Sequence, residues 1–414
     1  FRECGESYFF CNVSYQLYGD NKMSEDTYLG NLYQRFPINI SKGKGSIVWD
    51  VSGKEYIDCM GGYGVALVGH CNDRVINAIK NQSDNLITCH MSVYNNTRLK
   101  FLQKMSKISP KELSKVFFSN SGAESIESAL KFARKYTGKK GVIAMIGGYH
   151  GKTFGALSVT YNEKYRKSFQ PLLEGVKFVP YNNPSKIEDS LDDSIGTVII
   201  EPIQGETGII VPPDDFLQKI RKICDQNNLV LIFDEIQTGL GRTGKMWASE
   251  HWSTIPDIMC LAKGIAGGLP MGLTLCKPEI LDAMKLGEHS STFAGNPLSC
   301  SAGIATIDSI VEENLVGNAV KVGNIFKNGL LELKENHRIV RDVRGLGLML
   351  ALELRFDIKD ILFEGIKEGL LMLYSGRNII RLLPPLVIDE VKILKTLDIM
   401  DSLLTKEEER RSVK

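Results

Sequence analysis

The strongest constraint on this chain is a set of short apolar runs that do not alternate. "GVIAMI" (141–146), "TVIIE" (197–201) and "LVLIFDE" (229–235) are continuous. A strand with one wet face alternates apolar and polar residues. A continuous run suits a strand buried on both faces, in a mainly parallel sheet covered by helices. Helical stretches such as "DDFLQKIRKICDQNN" lie between the runs. "KVFFSN" leads into another helix, Ala123 to Tyr136, where Ile126, Ala129, Leu130, Ala133 and Tyr136 share one face and Gly138 closes it. The fold class is therefore α/β: a large domain with a mostly parallel sheet between helices, over about 75–300.

After about 300 the pattern changes. A long helical region (Ser299 to Glu335) precedes "RDVRGLGLMLALEL" and "NIIRLLPPLVI", which read as strands of a smaller α+β domain spanning 301–414. "GSIVWDVSGKEYIDC" (45–59) reads as a hairpin around Ser-Gly. Segment 23–74, which contains it, is expected to join the small domain. Residues 1–22 read as an irregular extension, with Met23 as a natural start.

Composition narrows the function classes. Lys plus Arg number 50 and Asp plus Glu 49. Such balance gives no electrostatic reason to expect nucleic acid or a membrane surface. Nine scattered cysteines without a C-x-x-C pair fit a reducing compartment. The reading is a cytoplasmic protein with no metal site.

In open α/β sheets ligands bind beyond the carboxyl ends of the strands. After "KVFF" comes Ser119-Asn120-Ser121-Gly122-Ala123, opening a helix. Such a terminus suits a phosphate, although an ordinary N-cap looks the same. After "GVIAMI", "GGYHGKT" offers Tyr149 to a flat ligand; a simple turn is the bland alternative. "EPIQGETG" puts Glu201 and Glu206 in one loop, where surface charge is the bland reading. Asp234 ends a buried strand, where a carboxylate is costly without a cationic partner. Lys263, in "CLAKGIAGGLP", sits among small apolar residues. Burial there would lower its pKa and favour an imine, whereas most lysines are surface charges. A phosphate cradle, an aromatic stack, an acid for a ring nitrogen and an imine-forming lysine are together what pyridoxal phosphate needs. The glycines of "GLGRTGK" (239–245) also match nucleotide-loop patterns. Yet "DEIQT" separates them from their strand, and Met246 stands where a P-loop needs Ser or Thr.

"FDEIQTGLGRTGK", "PDIMCLAKGIAGGLPMG" and "HSSTFAGNPLSCSAG" closely resemble the signature blocks of class III pyridoxal-phosphate aminotransferases. The resemblance runs from about 43 to 388. "EYIDCMGGYGVALVGH", "EPIQGETG" and "IIRLLPPLVI" look most like the acetylornithine/acetyl-lysine branch. Within it the chain most resembles the archaeal and thermophile lysine-biosynthesis enzymes, whose lysine or ornithine is held on an acidic amino-group carrier protein.

The resemblance implies a fold-type-I homodimer that exchanges amino groups between glutamate/2-oxoglutarate and the terminal semialdehyde of an N-blocked lysine or ornithine, in lysine or arginine biosynthesis. Free ornithine and 4-aminobutyrate are the alternative substrates. It makes Lys263 the Schiff-base lysine, Asp234 the pyridinium partner, Gln237 the contact to the ring hydroxyl and Tyr149 the stacking ring. Ser121, Gly122 and Ala123 would bind the phosphate, with Thr292 from the partner subunit. Arg381 would hold the glutamate carboxylate and Glu206 would pair with it, moving aside for other substrates. Glu201 would support the site. Lys152 replaces an arginine that often meets the far carboxylate, and Tyr63 matches a tyrosine of ornithine aminotransferases. Arg35, Lys42 and Lys44 are candidates for a basic rim facing a carrier.

Overall fold

A computed structural model describes residues 25, 28–30 and 32–412. The reading of 1–22 and of Met23 lies outside them. At the centre is a seven-stranded sheet in the order Lys115–Ser119, Gly272–Cys276, Ile258–Leu261, Val230–Asp234, Ile195–Ile200, Gly141–Met145, Val176–Val179. Only Gly272–Cys276 runs against the others. The three continuous apolar runs form adjacent inner strands, and every residue of the three is buried. The carboxyl ends of the parallel strands therefore share one edge, where Asn120, Tyr149, Glu201, Asp234 and Lys263 follow their strands.

The helix after "KVFF" spans Gly122–Thr137. Ser121 caps it, its Oγ accepting the Glu124 N–H at 3.2 Å, while the Glu124 carboxylate accepts the Asn120 N–H. This reciprocal cap contributes about 1 kcal/mol and fixes where the helix opens. Gly138, left-handed at φ 68°, ends it.

The C-terminal part holds an antiparallel four-stranded sheet: Val340–Leu346, Met349–Leu354, Ile379–Leu382 and Leu373–Ser375. The expected hairpin is present as Ile47–Asp50 against Glu55–Asp58, and Leu370–Leu371 pairs parallel to its second strand. The single helical region expected over Ser299 to Glu335 is two helices, Pro297–Glu312 and Leu315–Asn336. Asn314 between them is left-handed at φ 51°. Asparagine tolerates that conformation, and one such residue does not disturb the apolar periodicity on either side.

The glycine-rich loop serves packing. A Cβ on Gly241 or Gly244 would stand 3.1 Å or 2.8 Å from a methyl of Val316 or Val320 on the second of those helices. Arg242, fully buried, donates to the carbonyls of Leu348 and Pro384. Glu235 is also an anchor, accepting from Thr238 Oγ1 and from the Ala248 and Ser249 amides.

Candidate active site

Asp234 is buried at the end of its strand, with both oxygens oriented. Oδ1 accepts the Ile236 N–H at 3.1 Å, and Oδ2 lies 2.8 Å from His150 Nδ1. His150 was not singled out from the sequence, and no spacing connects 150 to 234. Its ring is wholly enclosed, and among the described residues Nε2 has no partner. Burial alone would hold the imidazole pKa down, but the Asp234 hydrogen bond and charge, with Glu201 behind, bring it above the usual value. Glu201, also buried, accepts the Gly205 and Tyr149 amides at 2.9 Å each. Burial raises its pKa to about 7 against the pull of His150, and the Asp234 charge adds to the rise.

That shift has a testable sign. The folded protein keeps the Glu201 proton to a higher pH than the unfolded chain does. Its contribution to stability is therefore full below the ordinary carboxylate range and is lost as pH rises through about 7. Glu201→Gln, which does not ionise, removes that slope. The difference in thermal midpoint between wild type and variant should shift in the variant's favour from pH 5 to pH 8. A difference that does not change with pH would show that Glu201 is ionised throughout.

Three neighbouring segments close on the start of the helix at Gly122. A Cβ on Gly272 would stand 2.3 Å from the Ser121 carbonyl oxygen, and one on Gly122 would stand 2.9 Å from Ile236 Cδ1. Gly151, at φ 126°, brings the Tyr149–His150 loop so close that a Cβ there would stand 2.8 Å from that of Ala123. The Gly122 and Ala123 amides have no preceding helical turn to bond to.

Lys263 follows its strand in a left-handed conformation, φ 46°, which for a lysine costs about 1–2 kcal/mol. Gly264 next to it packs where a Cβ would stand 2.5 Å from that of Leu67. Burial holds the Lys263 ammonium below the usual lysine range. Asp234 pulls the other way, and the charges of Arg381, Glu206 and Glu201 also act on it.

Arg381 lies fully buried in the small sheet. Nη1 meets Glu206 Oε2 at 2.9 Å and the Gly205 carbonyl at 3.2 Å, and Nε donates to the Tyr374 carbonyl at 3.2 Å. Among the described residues Arg381 Nη2 and Gln237 Oε1 are buried without partners. Tyr63 sits in a wholly left-handed turn, "GGYG", whose glycines bear that backbone easily. Burial raises the Tyr63 pKa, with Arg381 opposing and Glu206 adding to the rise. Burial likewise pushes the Tyr149 phenol up to about 12, with Glu206 first among the charges that reinforce it. The Lys152 ammonium rests 4.5 Å from the ring centre of Tyr165, another residue not singled out from the sequence.

The structure thus gathers Ser121, Gly122, Ala123, Tyr149, Glu201, Glu206, Asp234, Gln237, Lys263, Arg381 and Tyr63 at one sheet edge, with Lys152 at its margin. Thr292 stands apart. It is exposed in a loop tied to the same helix through Ser291 Oγ, which accepts from Asn120 Nδ2 at 3.0 Å, and through His289, 2.9 Å from Ser128 Oγ.

The edge fits pyridoxal phosphate on its own chemistry. It has a glycine-lined helix start, a buried carboxylate, a buried carboxamide oxygen without a partner among the described residues and a lysine whose charged form burial disfavours. Fold and site define a pyridoxal-phosphate-dependent transaminase. The family model "Aminotransferase class-III" matches residues 28–404. An acetylornithine aminotransferase of Methanopyrus kandleri is 43% identical over 381 residues, covering 91% of this chain and 97% of that protein. An ornithine aminotransferase structure from Toxoplasma gondii, described with partial occupancy of PLP at its active site, superposes with TM-score 0.90 at 31% identity, over 94% of each chain. The acetylornithine aminotransferase structure from Elizabethkingia anophelis gives TM-score 0.82 at 31% identity, over 92% of this chain and 97% of that one. The chain belongs to the class-III aminotransferases.

Proposed function

We propose that the enzyme carries an amino group from glutamate to the terminal aldehyde carbon of an N-blocked ornithine or lysine chain, with acetylated ornithine the first candidate. The observation that carries this reading is the Arg381–Glu206 pair. A fully buried guanidinium with one unpartnered nitrogen is a carboxylate clamp, and Glu206, 37% exposed, is a movable stopper for it. With Glu206 displaced, Arg381 takes a glutamate carboxylate. With Glu206 returned, the pair is neutral and admits a chain whose reacting end bears no acid.

When bound, pyridoxal phosphate supplies an aldehyde and a cationic ring that accepts the electron pair left on the substrate carbon. The Gly122 and Ala123 amides and the Ser121 hydroxyl would hold its phosphate, and Tyr149 would cover its ring. Gln237 Oε1 would accept from its ring hydroxyl, and Asp234 would favour a proton on its ring nitrogen. Lys263, whose neutral form burial favours, would take the proton from the substrate carbon and return it one atom away. Glu201 orients the Tyr149 and Gly205 amides that frame this space.

A homodimer completes the site in this reading, Thr292 reaching the partner's phosphate. Its support is the exposure of Met91, Val93, Tyr94, Leu286 and Phe293, the last beside Thr292, large apolar side chains that a second copy would cover. A carrier-borne substrate is the second form of the reading. The rim cations proposed for it are engaged elsewhere: Lys44 with Asp73, Arg35 with Glu25 and Lys42 over the Trp49 ring. That favours a small blocking group.

The test is the visible spectrum of the holoenzyme during titration. Glutamate should bleach the yellow band, and acetylornithine should bleach it at lower concentration than ornithine, acetyl-lysine or 4-aminobutyrate. A stronger response to free ornithine would replace the acetylated substrate, a turn that Tyr63 beside Arg381 would then explain. Weak responses to every free amine would point to a carrier. No band after adding pyridoxal phosphate would end the reading.

A further inference from the structure

We propose that Tyr165 is a positioning residue for carboxylate-bearing substrates, holding the Lys152 ammonium at the margin of the site by the face of its ring. The inference rests on the transaminase reading above and assigns a part to a residue outside it.

The backbone around Lys152 is fixed from the next residue on. Glu127 accepts from Thr153 Oγ1 at 2.6 Å and from the Gly155 amide at 2.8 Å. The Lys152 side chain itself is exposed. A free lysine side chain has many rotamers, and its ammonium is a point charge without the planar fork of arginine. To read a carboxylate at a set distance it must be held. Tyr165 supplies the hold, with Lys152 Nζ 4.5 Å from its ring centre.

Tyr165 is itself held. It lies on the short helix Glu163–Arg166, capped by the Asn162 side chain, and Arg166 rests on the Phe178 ring at 4.6 Å. Its ring meets Tyr149 edge-on, centroids 6.1 Å apart at 78°. The charges of Glu206 and Arg381 act on its phenol. One half-buried side chain thus touches the Tyr149 ring and the Lys152 cation while standing within the field of the Arg381 clamp. Two cations, Arg381 inside and Lys152 at the margin, would grip the two ends of a dicarboxylate.

The probe is glutarate, a dicarboxylate without an amine, with butyrate as its single-carboxylate control. Binding to the holoenzyme is measured by calorimetry. Tyr165→Leu should weaken glutarate about tenfold and change butyrate less than about twofold; Tyr165→Phe, which keeps the ring face, should stay within about threefold. Equal losses in Phe and Leu would assign the effect to the hydroxyl and overturn the proposal. Equal weakening of both ligands in Leu, or no change in either, would overturn it too. Lys152→Met should match Tyr165→Leu. If Lys152→Met leaves glutarate binding intact, Lys152 reads no carboxylate and this proposal falls, while bleaching of the band by glutamate still tests the transaminase reading separately.

Discussion

Lys263→Ala should abolish turnover, lowering kcat by at least about 10⁴-fold, the upper range for loss of a positioned proton-transfer group. Loss of the covalent attachment point adds to it. Nothing else at the sheet edge can substitute. Of its neighbours, Arg381 is paired with Glu206, and Asp234 is held by His150 and the Ile236 amide. Alanine also relieves no packing that the fold needs, because the tight approach belongs to Gly264 against Leu67. The variant should therefore melt as a folded protein and bind cofactor without the wild-type band. The wild-type pH profile carries the companion expectation. Burial favours the neutral amine, so the limb reporting Lys263 should rise with pH and level off below the ordinary lysine range. Stopped-flow and steady-state rates measure both, and more than about 1% residual kcat would remove Lys263 from its role.

The sequence displayed the large sheet well because burial on both faces leaves a mark that needs no partner information. A run such as "TVIIE" excludes a wet face wherever it sits in the fold. The same logic exposed Asp234 and Lys263: a charge at the end of an apolar run is costly, and the cost is local to the sequence. What stayed hidden depends on distant partners. His150 becomes notable only when its strand and that of Asp234 lie in one sheet with a third strand between them. Tyr165 sits in an exposed-looking stretch, "NEKYRK", and gains meaning only from Lys152 and Tyr149. The glycines of "GLGRTGK", set aside as a nucleotide loop from the sequence, mimic one because tight packing against Val316 and Val320 demands the same residue. The helix break at Asn314 was hidden because one left-handed residue leaves the apolar spacing intact.

Asp234→Asn tests the electrostatic half of the site with almost no change of shape. Asparagine keeps an oxygen for the Ile236 amide, which now holds Oδ1 at 3.1 Å, but it carries no charge. A ring nitrogen facing it loses the anion that favours its proton, and the ring withdraws electrons less well. The expected cost in kcat is on the order of 10³-fold, the scale seen when a preorganised electrostatic partner of a transition state is removed. Substrate binding should change far less, because Arg381 is held by Glu206 and by the Gly205 and Tyr374 carbonyls rather than by Asp234. The variant also releases His150. Its imidazole sits above the usual pKa because the Asp234 hydrogen bond and charge, with Glu201, outweigh burial, so with the Asp234 charge gone its pKa should fall. NMR titration of His150 should therefore show a lowered midpoint alongside the kinetic loss. An unchanged His150 midpoint would mean that the 2.8 Å contact does not govern its protonation. Retention of more than about a tenth of kcat would mean that the charge of Asp234 is not what drives the ring, and the pairing of this carboxylate with a ring nitrogen would fall with it.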